Sequence, residues 1–341
     1  MIERPLITFA VIAYNAEKYI REAVEGAFTQ TYSPLQIVLS DDGSADATFQ
    51  IMEEMANAYH GPHTVLLNRN ARNLGIGAHI NRIMELAHGK YVIIAAGDDV
   101  SLPHRTERIY QEFVDGGSET MVVFSDMIEI DSTGTILRKS NYHPPVGFDD
   151  PVQCCQNMLR GITGASNAWN RKLFDIFGPL LPEVTFEDRV IALRAALLGD
   201  IRYIQEPLVK YRLHATNTVA MFHNNQHEEA RRVLECFLWS YRNAAQDLDI
   251  FIRKVQPAFP EATRCQRIVK RRIHKLEAYL QIYGGVPKDV GQGLLRLILN
   301  GGNPLGGLKA YSRVRQGKTS FAEQQAKSNS PDCAHPIEAC K

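Results

Sequence analysis

The sequence predicts an α/β fold in which a mixed, mostly parallel sheet is flanked by helices and followed by a C-terminal helical appendage. Three observations predict it. Over the first hundred residues, short β-branched runs alternate with amphipathic helical patterns, the signature of βαβ units. Two acidic turns, Asp41-Asp42-Gly43-Ser44 and Gly97-Asp98-Asp99, each close a strand-like run. From about Asn224 to Tyr283 the pattern becomes long, charged and helical, a separate part of the chain.

Leu6 to Ala13 is the first expected strand, followed by Leu35 to Ser40, Thr64 to Asn68 and Tyr91 to Ala96. Between them, Tyr19 to Gln30 places Ile20, Ala23, Val24, Ala27 and Phe28 on one helical stripe. Ala47 to Ala58 does the same with Phe49, Ile51, Met52 and Met55, and Ile76 to Leu86 is the third helix. Right-handed crossovers gather the loops after these strands along one sheet edge, where open α/β folds bind ligands. Beyond Asp99 the alternation loosens into a helix from Arg105 to Phe113, a strand from Met121 to Phe124 and a hairpin at Asp131-Ser132-Thr133-Gly134. His143 to Pro151 reads as a mobile loop, followed by a short helix, a Gly164-Ala165-Ser166-Asn167 turn and a helix starting near Asp188. Lys318 to Lys341 is polar and reads as a disordered tail. The expected organisation is an α/β domain over 1–220, a helical appendage over 221–317 and a tail over 318–341.

With 341 residues and 45% hydrophobic content, the chain buries a full core and is not a disordered protein. No apolar run approaches the ~20 residues needed to cross a bilayer. Met1-Ile2-Glu3-Arg4-Pro5 has no secretory-leader pattern, so a cytoplasmic location is expected. The six cysteines form no C-x-x-C pair and read as free thiols. Zero net charge hides an asymmetry: residues 1–170 carry 12 basic and 21 acidic side chains, residues 171–341 carry 26 and 17, so the halves stand at −9 and +9. The acidic half suits divalent-cation chemistry. The basic half suits an anionic acceptor or a membrane surface, or is an ordinary solvated face.

In the Asp41–Ser44 turn, two carboxylates sit at the end of a strand and Gly43 is able to take positive φ. Such carboxylates accept hydrogen bonds from a uracil-like base or a ribose, or else Ser44 and Asp46 cap the next helix. In the Gly97–Asp99 turn, a strand of apolar residues ends in paired aspartates, whose mutual repulsion a divalent cation relieves. Mg²⁺ and Mn²⁺ take one or two carboxylates plus substrate phosphates, so one protein aspartate and a diphosphate suffice.

The two turns, together with Ile7-Thr8-Phe9-Ala10-Val11-Ile12-Ala13-Tyr14-Asn15, Gln30-Thr31-Tyr32 and Arg72-Asn73-Leu74-Gly75, resemble family 2 glycosyltransferases of the GT-A (Rossmann-like) fold over roughly residues 5–220. The resemblance implies that Tyr14 lies against the nucleotide and that Asp42, with Asp41 beside it, is the base-binding carboxylate. It implies that Arg72 and Asp98 belong to the donor site, and that Asp99 is the direct contact to a divalent metal, Mn²⁺ or Mg²⁺. Many members carry an aspartate two residues before Asp98; here that residue is Ala96, which puts metal use in question. Thr185-Phe186-Glu187-Asp188-Arg189 resembles the family's Glu-Asp motif and makes Asp188 the general base. Its other reading is a helix N-terminal carboxylate facing the dipole. Trp169, at the end of a Gly161-to-Trp169 segment similar to the family's acceptor-side segment, is a sugar-stacking or a core aromatic. Glu187, Arg212 and His214 are further candidates for diphosphate, metal or acceptor contacts.

The implied activity is a single displacement from a UDP- or dTDP-sugar to a saccharide or lipid-linked saccharide, in surface polysaccharide or glycan synthesis. No nucleic-acid partner is expected. Two other readings stay open: a catalytically silent sugar-nucleotide-binding protein, for which Ala96 argues, and a nucleotidyltransferase, against which the Tyr14-Asn15-Ala16-Glu17-Lys18 loop argues. Arg264, Arg267, Lys270, Arg271, Arg272 and Lys275, with the amphipathic Leu294-to-Leu299 run, suggest a peripheral membrane contact, a homo-oligomer contact or plain helix packing.

Overall fold

The computed structural model describes residues 4–139, 144, 147–156, 162, 164–214, 227–283, 292–295, 297 and 308. The chain divides into two compact units, residues 1–213 with 253–255, and residues 214–252 with 256–341.

The first unit is built on β1 (Ile7–Ala13), β2 (Leu35–Asp41), β3 (Thr64–Arg69) and β4 (Tyr91–Ala96), joined by α1 (Ile20–Phe28), α2 (Thr48–Asn57) and α3 (Ile76–Leu86). All four strands pair in parallel, as the alternation predicts. The chain then adds β5 (Val100–Ser101), α4 (Arg105–Gly116), β6 (Thr120–Ile130), β7 (Ile136–Lys139) and α5 (Pro151–Gln156). It continues through β8 (Ala168–Asn170), α6 (Lys172–Phe177), α7 (Glu187–Leu198) and β9 (Asp200–Arg212). Among the described residues the sheet order is β3-β2-β1-β4-β8-β6-β9-β5, with β7 paired to β6. β8 runs antiparallel to both neighbours while β6 and β9 are parallel, so the sheet is mixed.

Both faces of the central strands are buried, which is why they read as near-continuous apolar runs. Ile7, Phe9 and Val11 of β1, Ile37 and Leu39 of β2 and Ile93 of β4 share one core with Ile20, Val24 and Ala27 of α1 and Ile109 and Phe113 of α4. Each such side chain contributes about 1.5–3 kcal/mol by leaving water. The order β3-β2-β1-β4 means that the chain leaves β1 toward one side and returns on the other. That reversal opens a crevice beyond the carboxyl ends of β1 and β4, where both acidic turns lie.

The expected strand Met121 to Phe124 is the first part of an 11-residue strand, and the Asp131–Gly134 hairpin joins it to β7. In the second unit the single long helical stretch is two helices, α8 (His227–Lys254) and α9 (Ala262–Tyr283), because Pro257 and Pro260 interrupt the pattern. An Arg242–Glu277 ion pair at 3.1 Å bridges them. Arg264, Arg267, Lys270 and Arg271 are exposed on α9. No helix among the described residues is long and apolar enough to cross a membrane. His143, Pro145 and Val146 of the expected loop, half of Leu294 to Leu299 and the tail from Lys318 lie outside the described residues.

Candidate active site

At the carboxyl edge of the sheet, β1 ends at Ala13, which is in register with Asp41 of β2. Tyr14 follows and is 49% exposed, an open aromatic face at the crevice. Asn15 takes a left-handed φ of 49°, which Asn tolerates better than most residues. It is held there by a donated bond from its N–H to Ser44 Oγ (2.8 Å) and one accepted from the Ala45 N–H (3.0 Å). The Ala16 N–H adds a bond to Thr48 Oγ1 at 2.8 Å. The loop after β1 is therefore laced to the start of α2, and Asp46 also caps that helix by accepting from the Thr48 N–H at 3.0 Å.

Asp41 and Asp42 are buried. Asp42 accepts from Asn70 Nδ2 (2.8 Å) and the Leu74 N–H (3.0 Å) on one oxygen and from the Gly75 N–H (3.1 Å) on the other. Asp41 accepts from the Ser44 N–H at 3.0 Å and lies 3.5 Å from Arg69 Nε. At 3% exposure Asp42 tethers the Asn70–Gly75 loop to β2. What the tether presents is Arg72, which is exposed. Gly43 makes the fit: its φ is +71°, and a Cβ there would stand 2.5 Å from the Arg72 carbonyl carbon. Beneath the turn, Ser40 Oγ lies 2.7 Å from His79 Nε2 and accepts from Asn68 Nδ2 at 2.9 Å. Burial pushes the His79 imidazole below its usual pKa although Asp42 and Asp41 pull the other way.

On the other flank of β1, Gly97 lets the second acidic turn approach, since a Cβ there would come within 2.7 Å of the Ala13 side chain. Asp99 is 3% exposed and accepts the Arg212 N–H at 2.8 Å. Its other oxygen, Oδ2, is buried without a hydrogen-bond partner. Burial, and then the neighbouring Asp98, hold this carboxyl well above the ordinary aspartate range. Asp98 is the less buried of the pair, and the unpartnered Oδ2 of Asp99 is compatible with the direct metal contact expected of it. The expectation for Arg212 is corrected. That residue is 1% exposed, donates Nε to the Asp98 carbonyl (2.8 Å) and Nη2 to Glu22 (3.0 Å), and lies over the Tyr19 ring. Its guanidinium clamps the acidic turn to α1, so it does not present itself to a diphosphate. The donor set fits a hard divalent cation, since it offers carboxylate oxygens and one buried oxygen lacks any proton donor. Among the described residues no cluster of three or more His, Cys, Asp or Glu surrounds a metal position, so such an ion would need substrate oxygens as well.

The third acidic position is the first turn of α7. α7 is apolar on all sides, and its buried Arg194 donates to the Gly178 carbonyl (2.8 Å) against the Phe174 and Phe177 rings. The loop leading to it is braced on α3: Asn81 exchanges two 2.8 Å bonds with Leu180, and Gly77 lies so close to the Val184 carbonyl that a Cβ would come to 2.6 Å. Glu187 and Asp188 meet the Gly164–Ser166 turn, where a Cβ on Gly164 would reach 3.0 Å from Glu187 Oε1 and 3.9 Å from Asp188 Oδ2. Asp188 is partly open, with a side-chain exposure of 24%, and accepts the Arg189 N–H at 2.8 Å. Burial, then repulsion from Asp188, pushes the Glu187 carboxyl up to about 8. Burial also raises Asp188, against the pull of Arg189 and of backbone donors that include Gly164.

Trp169 is a core residue, 1% exposed, its Nε1 donating to Met84 Sδ at 3.4 Å; the sugar-stacking reading is overturned. His214 lies two residues past β9 and is half-buried. The sequence reading missed Arg105, a fully buried arginine joining β4 to the Gly164–Ser166 turn. As an arginine in the first turn of a charged helix it reads as solvated, and no local signal marks it otherwise.

The family described as "Glycosyl transferase family 2" matches residues 8–177. An uncharacterized glycosyltransferase of Haemophilus influenzae is 28% identical over 245 residues, which are 67% of this chain and 72% of that protein. Among solved structures, the mannosyltransferase PcManGT from Pyrobaculum calidifontis, in complex with GDP-Man and Mn²⁺, is similar at a TM-score of 0.53 and 19% identity. That likeness covers 93% of this chain and 84% of the other. S. aureus TarS 1–349 in complex with UDP is similar at a TM-score of 0.50 and 15% identity, over 91% of each chain.

Proposed function

As the chain belongs to glycosyl transferase family 2 and has the GT-A fold, and is a glycosyltransferase acting on nucleotide sugars, we propose that it is an inverting enzyme with Asp188 as general base. The proposed donor is a UDP- or dTDP-sugar and the acceptor a saccharide or lipid-linked saccharide in surface glycan synthesis, with the cationic face of α9 available to an anionic membrane surface. The neighbours' UDP and GDP-Man complexes support a nucleoside-diphosphate donor.

The observation that carries the reading is the carboxyl pair at the start of α7. Burial and the neighbouring Asp188 push Glu187 up to about 8, while Asp188, also raised by burial, has the partly open side chain. In the transfer, Asp188 takes the acceptor's hydroxyl proton, the acceptor oxygen attacks the anomeric carbon, and the bond from that carbon to the diphosphate breaks. Tyr14 offers its ring to the nucleotide, Arg72 its charge to the phosphates, and Asp41 and Asp42 hold the loops that carry them. Asp99, with Asp98 beside it, would hold a Mn²⁺ or Mg²⁺ ion, which stabilises charge on a departing diphosphate. A panel of sugar nucleotides assayed for hydrolysis and transfer with Mn²⁺ or Mg²⁺ tests this. Turnover lost in Asp188→Asn with nucleotide binding intact supports it; nucleotide binding without turnover of any donor points to the silent reading.

A further inference from the structure

Arg105 is the first residue of α4, yet its side chain has no exposure at all. Its position follows from the sheet. The β4–β8 ladder ends at Ile93–Ala168, so the Ile94 carbonyl lacks a strand partner on that side. Arg105 Nη2 donates to it at 2.8 Å. The same Nη2 donates to the Ala165 carbonyl at 3.2 Å, and Nη1 to Ser101 Oγ at 2.9 Å. The guanidinium also lies 5.7 Å from the centre of the Phe9 ring and is drawn electrostatically toward Asp99.

These contacts reach both halves of the proposed site. Ile94 stands four residues before Asp98 on the strand that delivers it. Ala165 is the middle of the turn whose Gly164 seats Glu187 and Asp188. The Ile94 N–H to the Asn167 carbonyl (3.2 Å) and the Ser125 N–H to Ser166 Oγ (3.3 Å) also hold that turn, at lengths comparable with the 3.2 Å bond from Arg105 to Ala165. The planar fork sets Nη2 against both carbonyls while Nη1 is anchored on Ser101 Oγ, a fixed arrangement that a lysine ammonium does not reproduce.

We propose that Arg105 is a positioning residue that sets the distance between the diphosphate-side turn and the general base, without touching donor or acceptor. This rests on Asp188 being the base and on donor binding at Asp98. The consequence is a split: removing the fork leaves nucleotide binding intact but lets the Gly164–Ser166 turn, and Asp188 with it, move out of line.

Arg105→Met and Arg105→Lys, in the full chain, test it by titration calorimetry with UDP and Mn²⁺, steady-state transfer kinetics, and amide hydrogen exchange. The expected result is unchanged nucleotide stoichiometry and affinity with kcat lower by about 10²-fold in Arg105→Met, a size typical of small misplacements. Arg105→Lys, which keeps the charge, falls between it and the parent. Exchange should quicken at residues 164–167 and not in β1 to β3. Parallel loss of nucleotide stoichiometry and kcat, or unchanged kcat in variants that bind nucleotide, overturns the proposal. Should the parent turn over no donor, the function itself fails. Exchange then still decides the bridge, because uniform or absent quickening removes it.

Discussion

Asp41–Asp42 and Glu187–Asp188 are both adjacent carboxyl pairs, and the protein treats them in contrasting ways. Asp42 takes one amide side chain and two backbone N–H groups, and Asp41 takes the Ser44 N–H with Arg69 nearby. Asp42 is thus saturated, which suits a carboxylate that holds a loop, whereas Asp41 keeps one buried oxygen, Oδ1, without a partner. Glu187 and Asp188 also accept backbone donors, yet burial raises both carboxyls, Glu187 to about 8. A carboxyl raised in this way takes up a proton more readily, as the proposed base role requires.

The sharpest way to break this contrast is Asp188→Asn. It should lower the transfer rate by about 10²–10⁴-fold and leave nucleotide affinity intact, as rate and calorimetry together would reveal. Asp42→Asn, by contrast, should weaken nucleotide binding by loosening the Arg72 loop; if it instead abolished turnover with affinity unchanged, the scaffold assignment would be wrong. Asp99→Asn should weaken Mn²⁺ binding by about 10–100-fold, measured by the metal dependence of nucleotide binding.

The pH dependence tests the same pair. The unfolded Glu187 ionises near 4.5 and the folded one near 8, so between those values the folded protein holds the extra proton. Stability from this group is then greatest below about 4.5 and falls as pH rises toward 8. Glu187→Gln should flatten that decline in melting temperature. A decline that persists unchanged would place the retained proton elsewhere. Activity should rise with pH through an acid limb above the usual aspartate range, because only ionised Asp188 accepts a proton.

Much of this was legible from local pattern. The strands β1 to β4 and helices α1 to α3 announce themselves by periodicity, and Asp188 by its neighbour Glu187. β8 has three residues and β5 two, too few for a pattern, and β9 contains Pro207 and several charged residues, so its pairing with β6 rests on contacts distant in sequence. The sealing of Asp99, the clamp by Arg212 and the burial of Arg105 are likewise tertiary outcomes. A charged side chain reads as solvated until the fold supplies its acceptors, and here carbonyls of Asp98, Ile94 and Ala165 do so.

The smallest effects separate two glycines of the scaffold. Gly43 and Gly75 both have positive φ, +71° and +80°. Around Gly75 a Cβ meets nothing within 4 Å, so Gly75→Ala should cost only the backbone strain, about 1–3 kcal/mol. At Gly43 the same strain is joined by a Cβ placed 2.5 Å from the backbone of Arg72, which cannot swing away as a flexible side chain would. Gly43→Ala must therefore push the Arg72 loop off the acidic turn and destabilise the protein more than Gly75→Ala. Equal melting temperatures for the two variants would mean that the loop yields freely, and that Asp42 does not hold it.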